Sequence, residues 1–254
     1  QAKRKVIDNA LRDFRLSGID LPEFEQVRFS ELSREISRLN STFNNNVLDA
    51  TQVWQKLVVG KSRLSGVPHN ALASMQKNAA DKALEGFLLT LDTPCYLAIM
   101  TYCDDRELRH ELYTAFGTRA SHLGPNAGEF DNSDVIHELL SARLEQARLL
   151  GFENYAELSV ARKMARSAEE VLGFLNNLAE KSRTFALKDF EVLETFAEKN
   201  GGSDRLKPWD VPYYAEKLKK AAFDISEEDL RPYFPGPTVL QGMFEVVHRL
   251  FDID

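Results

Sequence analysis

The feature that most constrains this chain is an uninterrupted amphipathic helical period running from about Glu23 to Ala50. Phe29, Leu32, Ile36, Leu39, Phe43 and Val47 step by three and four residues, while Arg28, Glu31, Arg34, Glu35 and Arg38 fill the opposite face. At about 1.5 Å of rise per residue this helix reaches about 40 Å, longer than the average globular helix. Its apolar stripe needs neighbours along its whole length. A second long helix is expected from the capping box Ser167-Ala168-Glu169-Glu170 through Lys199. Its expected buried side is Val171, Leu172, Leu175, Leu178, Phe185, Leu193 and Phe196, and Gly201-Gly202 ends it.

The rest of the chain follows the same rhythm. Helices are expected over about Lys3 to Ser17, with Gly18 as the C-terminal cap, and over Asn70 to Leu84, Pro94 to Cys103, Arg106 to Ser121, Ser133 to Leu150 and Tyr155 to Met164. Two more follow at Pro208 to Phe223 and Thr238 to Phe251. Only Val53 to Val59 and Gly86 to Leu91 break the period, and their β-branched and aromatic content suits a small two-stranded β-ribbon. The expected fold class is therefore mainly α: a multi-helix scaffold with one small β-ribbon. With 43% hydrophobic residues, 13 Gly and 9 Pro in 254, the chain carries a sizeable core and no linker-like tract. It reads as a single helical segment, 1–254, with sub-regions 1–130 and 131–254 and no clear linker between them.

Composition also removes whole function classes. A formal net charge of −7, from 32 basic and 39 acidic residues, argues against nucleic acid as a partner. No run approaches the length of a membrane span and no apolar signal core follows the N-terminus, so no membrane partner and a cytoplasmic location are expected. Cys95 and Cys103, eight residues apart on one helix, would be about 12 Å apart, beyond disulfide reach. The sequon Asn40-Ser41-Thr42 lies inside a helix and reads as accidental.

Candidate chemistry is sparse. A helical zinc hydrolase site needs His-Glu-x-x-His, because positions i and i+4 share a face and two imidazoles can then hold one metal. His110-Glu111 is followed by Thr114 and His137-Glu138 by Ser141, so neither pattern is completed; His69, His122 and His248 show no ligand spacing. The cysteines have no Cys-x-x-Cys spacing, and Gly124-Pro125-Asn126-Ala127-Gly128 lacks the Gly-Lys-Ser/Thr ending of a phosphate loop. Asp104-Asp105 and Glu227-Glu228 sit where negative charge favours a helix N-terminus. The aromatic block Pro208-Trp209-Asp210-Val211-Pro212-Tyr213-Tyr214, with Arg231-Pro232-Tyr233-Phe234-Pro235, offers either a helix junction or the lining of a concave binding surface. Packing is the favoured of the two.

Several stretches resemble one known family. Asn46-Val47-Leu48-Asp49-Ala50-Thr51, Leu84 to Asp92, Met100-Thr101-Tyr102-Cys103, Thr118-Arg119-Ala120-Ser121 with Gly124 to Gly128, Leu150 to Ala156, Trp209-Asp210 to Tyr213-Tyr214, and Leu230 to Pro235 are similar to the thimet-oligopeptidase-like zinc metallopeptidases, the M3 family. The likeness is collinear and spans nearly the whole chain. It implies a mostly helical enzyme of two lobes around a deep channel that admits short peptides. It also implies one zinc on a His-Glu-x-x-His helix with a further Glu, the motif Glu acting as general base and Tyr and His side chains stabilising the oxyanion. None of these elements maps onto the residues present, so catalytic residues, none, and metal ligands, none, are carried over, and substrate-binding residues stay unassigned.

The resemblance casts the chain as the N-terminal to middle part of a longer zinc metalloendopeptidase, ending before the zinc helix, as does a start without Met. Zinc is then expected in the parent protein, with ligands outside this chain and none in the fragment, which is expected to be inactive alone. The expected partners are short peptides, the missing C-terminal half, and a second copy through self-association. The rival reading is a non-enzymatic helical interaction module that binds a peptide or partner helix.

Overall fold

A computed structural model describes residues 2–202 and 205–253, with the side chains of all of these but 227 and 228. In chain order the elements are α1 (Ala2–Leu16), α2 (Glu23–Val53), β1 (Gln55–Val58), α3 (His69–Ala80), β2 (Phe87–Thr90), α4 (Thr93–Tyr102), α5 (Arg106–Gly117) and α6 (Ser133–Leu149). Then follow α7 (Tyr155–Val160), α8 (Ala168–Lys199), α9 (Val211–Phe223), the short α10 (Glu227–Leu230) and α11 (Gly236–Phe251). The mainly α fold with one small ribbon is the architecture the periodicity calls for. Contacts group the chain into two units, 1–54 with 114–189 and 55–113 with 190–254. The expected sub-regions 1–130 and 131–254 follow chain order, whereas this grouping is interleaved: α2 packs along α6, while residues 55–113 between them group with 190–254.

In the first unit α2 runs as one helix of 31 residues and buries Leu32, Leu39 and Ala50, with Phe29, Ile36, Phe43 and Val47 half-buried beside them. Its face meets Leu139, Ala142 and Ala147 of α6. Polar pairs fix the register along this contact: Arg28 grips Glu145 with Nε–Oε1 at 2.6 Å and Nη2–Oε2 at 2.7 Å, Gln146 donates to Ser33, and Arg143 donates to Asn40. Asn40, the sequon residue, is thus committed inside the helix. Gly18 ends α1 at φ +82°, and a Cβ there would lie 2.9 Å from the Phe29 ring, so conformation and space both demand glycine.

In the second unit β1 and β2 pair antiparallel, Gln55 opposite Thr90 and Val58 opposite Phe87. Phe87, Leu88 and Leu89 are all buried, because α3 and α4 pack on this strand; a strand covered on both sides reads as a continuous apolar run. Asp92 caps α4 by accepting from the Cys95 amide at 3.1 Å. Asn154 likewise caps α7, accepting from Glu157 at 3.1 Å.

Several helices differ from expectation. Helix α3 ends at Ala80, four residues before Leu84, and Ala83 beyond it takes the left-handed conformation; α9 starts at Val211 rather than Pro208. Helix α5 ends at Gly117, four residues early, because Ala120 takes the left-handed conformation and its carbonyl accepts from the Asn132 amide. Helix α7 ends at Val160, before Met164. On α8 only Leu193 and Ala197 are buried, while Leu172, Leu175, Leu178 and Phe185 are exposed; no element of the described residues covers that stretch. The box that starts α8 is also shifted: Ser167 Oγ accepts from the Glu170 amide, but Glu170 reaches back to the Arg166 amide rather than to that of Ser167.

Candidate functional site

Neither incomplete His-Glu pair gathers further ligands. The His110 ring stacks on Trp209 with centroids 4.0 Å apart, and Glu111 pairs with Lys56 at 2.6 Å. Glu138 lies 3.8 Å from Arg38 across the α2–α6 contact. Among the described residues no group of three or more His, Cys, Asp or Glu side chains is placed to hold a metal. The zinc that the resemblance implies does not fit the described residues. Cys95 and Cys103 are buried, unbridged thiols. Burial pushes the Cys103 thiol up to about 11, partly offset by a backbone hydrogen bond, and raises Cys95 in the same sense.

The acidic and aromatic segments are joined by a buried charge cluster. Asp210 is 1% exposed and accepts from both Arg106 (Nη2–Oδ2 2.8 Å) and Arg109 (Nη2–Oδ1 2.9 Å), while its Oδ2 also takes the Lys207 amide. Desolvation pushes its carboxyl up, but the Arg106, Lys207 and Arg109 hydrogen bonds outweigh this and hold it below the usual carboxylate range. Arg109 is itself buried; its guanidinium also donates to the carbonyls of Cys103 and Trp209 and lies 4.0 Å over the Tyr213 ring. Asp104 accepts from Tyr213 (2.7 Å), Ser65 (2.8 Å) and Lys217 (3.2 Å). Asp105 caps α5 through the Leu108 amide and pairs with Arg63 at 2.6 Å. Asp104 and Asp105 therefore do more than face a helix dipole: they tie α9 and the loop before α3 to the start of α5. The matching call on Glu227-Glu228 lies outside the described side chains, although α10 does begin at Glu227.

The aromatic block divides in two. Trp209 packs on His110 and Tyr113, and Tyr213 and Tyr214 are buried with Leu193, Ala197 and Leu206, so this half is a helix junction. The other half is not. Pro212, Arg231 and Phe234 line an open cleft of about 1050 Å³, bounded by α3, α4, α9 and the turn after α10. Asn70, Ser74 and Asn78 face it from α3, and Ala215, Glu216 and Lys219 from α9. Glu216 Oε1 is shielded from solvent and has no hydrogen-bond partner among the described residues, while its Oε2 lies 3.5 Å from Lys219. Spacing along α9 separates the two roles, with 213, 214 and 218 on the packed face and 212, 215, 216 and 219 on the cleft face. The α3 wall and Arg109 escaped the sequence reading. The Asn70–Ser74–Asn78 interval was a usable signal; the partner of Arg109 lies 101 residues away and left none.

The profile of peptidase family M3 matches residues 99–254. Over 252 residues, 99% of this chain, the chain is 51% identical to oligopeptidase A of Escherichia coli (strain K12), and 48% identical to oligopeptidase A of Haemophilus influenzae. It is 30% identical over 251 residues to the dipeptidyl carboxypeptidase of E. coli. The chain spans about 37% of the length of the oligopeptidase A relatives and 36% of the carboxypeptidase.

Proposed function

The chain belongs to peptidase family M3, and we propose that it forms the helical scaffold and part of the channel wall of a zinc-dependent oligopeptidase that hydrolyses internal bonds of short peptides. The observation that carries this reading is the 51% identity to an oligopeptidase A across the whole chain, together with its 37% share of that relative's length. In this proposal the zinc and its ligands belong to the remainder of the enzyme, and the 254 residues alone bind no catalytic metal and cleave no peptide. The same remainder is the intramolecular partner that covers the apolar faces of α8 and α11, and a second copy takes its place when it is absent. The proposal keeps the cytoplasmic location; no described helix is long and apolar enough to cross a membrane.

Metal analysis of the purified chain, paired with a quenched-fluorescent peptide assay, tests this. The expected result is no stoichiometric zinc and no turnover from the chain, with chelator-sensitive turnover from the whole enzyme. One tightly held zinc per chain with chelator-sensitive hydrolysis overturns the division of labour.

A further inference from the structure

On helix α3, Asn70, Ser74 and Asn78 stand at positions i, i+4 and i+8, and all three line the cleft. Successive members of such a row are separated by about 6 Å of helical rise. An extended peptide repeats every two residues, at about 6.6–6.8 Å. Over the full row the two rulers read about 12 Å and about 13 Å, a mismatch that side-chain rotamers absorb. Asn offers a donor and an acceptor together, and Ser a hydroxyl that does either. These are the groups that pair with a main-chain N–H and C=O without regard to the residue's side chain. Among the described residues, none of the three side chains is spent on another hydrogen bond.

The opposite wall supplies a second, independent sign. Glu216 Oε1 is shielded from solvent and has no hydrogen-bond partner among the described residues, and an acceptor withdrawn from water and left unpaired is costly. The terminal torsion of a Glu is soft, so a modest turn of the carboxylate presents that oxygen to an N–H entering the cleft. An extended strand carries N–H groups on both edges, one toward α3 and the other toward α9. Beside Glu216 and Lys219, Pro212 and Ala215 keep part of the α9 face low, which leaves room there for a peptide side chain.

We propose that this cleft binds a peptide in extended conformation, with Asn70, Ser74 and Asn78 pairing with its main chain at every second residue and Glu216 accepting an amide N–H from its other edge. The proposal rests on the peptidase reading above and assigns substrate contacts that reading leaves open. It makes recognition indifferent to sequence and sensitive to backbone hydrogen-bonding capacity.

The test uses the whole zinc-loaded enzyme and a quenched-fluorescent octapeptide, beside an analogue N-methylated at alternate amides. Each lost hydrogen bond is worth about fivefold. Asn70→Ala/Asn78→Ala is expected to raise KM about twentyfold with kcat within about twofold, and Glu216→Ala to raise KM about fivefold. N-methylation is expected to weaken binding to the wild type and to add little in the double variant. Ala215→Trp, which fills the cleft from an exposed position, serves as the second variant and should raise KM at unchanged melting temperature. Unchanged KM in the Asn variants, or an N-methyl effect of equal size in wild type and double variant, overturns the proposal while hydrolysis continues. A drop in melting temperature with Ala215→Trp at unchanged KM also overturns it, because the cleft then holds a segment of the enzyme itself. If the whole enzyme hydrolyses nothing, the peptidase reading fails instead, and calorimetric titration of the chain with the octapeptide and its N-methyl analogue decides the cleft separately.

Discussion

Replacing Asp210 by Asn removes one charge from a buried cluster that holds two guanidinium groups. Arg109 has a side chain 2% exposed, so it cannot recover by reaching water; Arg106, at 40%, can. Stranding one buried charge costs about 3–5 kcal/mol, a large part of the 5–15 kcal/mol that a domain commonly has. Asn keeps the shape and one acceptor, which places Asp210→Asn at the lower end, about 3 kcal/mol. The loss should couple to Arg109: Arg109→Met alone strands Asp210 less completely, since Arg106 and the Lys207 amide remain. The double variant should therefore be more stable than the sum of the two single losses by at least about 1 kcal/mol. Urea unfolding followed by tryptophan fluorescence reads this directly, because Trp209 adjoins the cluster. The pH dependence has a definite sign. The folded carboxyl titrates below its unfolded value, so its contribution is complete above the ordinary Asp pKa of about 4 and is lost as pH falls through the lower folded pKa. Asp210→Asn should flatten that acid limb. A loss below about 1 kcal/mol, strict additivity with Arg109→Met, or an unchanged acid limb would refute the view that this cluster is a coupled, buried unit.

Further outcomes follow from the packing. Gly66 sits at φ +84°, with a would-be Cβ 2.2 Å from the Tyr102 carbonyl, whereas Gly60 at φ +85° has open space around it. Gly60→Ala should cost about 1 kcal/mol from conformation alone, and Gly66→Ala clearly more, both read from melting curves; equal losses would show that the close approach yields without cost. Thiol titration with an aromatic disulfide at pH 8 should find both cysteines slow until denaturant is added, since Cys103 titrates near 11 and both are buried. A fast native thiol contradicts that. Light scattering of the isolated chain should show mass rising with concentration, because Val239, Leu240, Met243, Phe244, Leu250 and Phe251 leave α11 an exposed apolar face; a monodisperse monomer across the range counts against self-association.

Local periodicity made most of the fold legible. The α2 stripe, the ribbon interrupting the helical period and the Asn154 cap all act within a few residues, and the chain adopts them as written. What the sequence hid was long-range. The stripe on α8 predicted burial at Leu172, Leu175, Leu178 and Phe185, but periodicity reports only that a face is apolar; a neighbour decides whether it is covered. Arg109 sits in an amphipathic pattern as an ordinary charged residue, and only folding places Asp210, 101 positions later, beside it. The aromatic block offered packing or the lining of a concave surface as alternatives; Trp209, Tyr213 and Tyr214 pack, while Pro212, Arg231 and Phe234 line the cleft.

That division explains why the second unit places charge in its interior. A helix packed on all sides is held by apolar area, which is large but indifferent to small rotations. Helix α9 gives one face to the cleft, and Tyr213, Tyr214 and Leu218 with the N-terminal Val211 pack into the core on the other. A small turn of α9 would shift Glu216 along the cleft wall while Tyr213 and Tyr214 stay largely buried. Directional contacts prevent this. Arg106 and Arg109 hold Asp210 at the N-terminus of α9, and Tyr213 and Lys217 both reach Asp104 from the first two turns. The cluster fixes how the helix is turned more than how tightly it is held, and the orientation of the cleft wall depends on it.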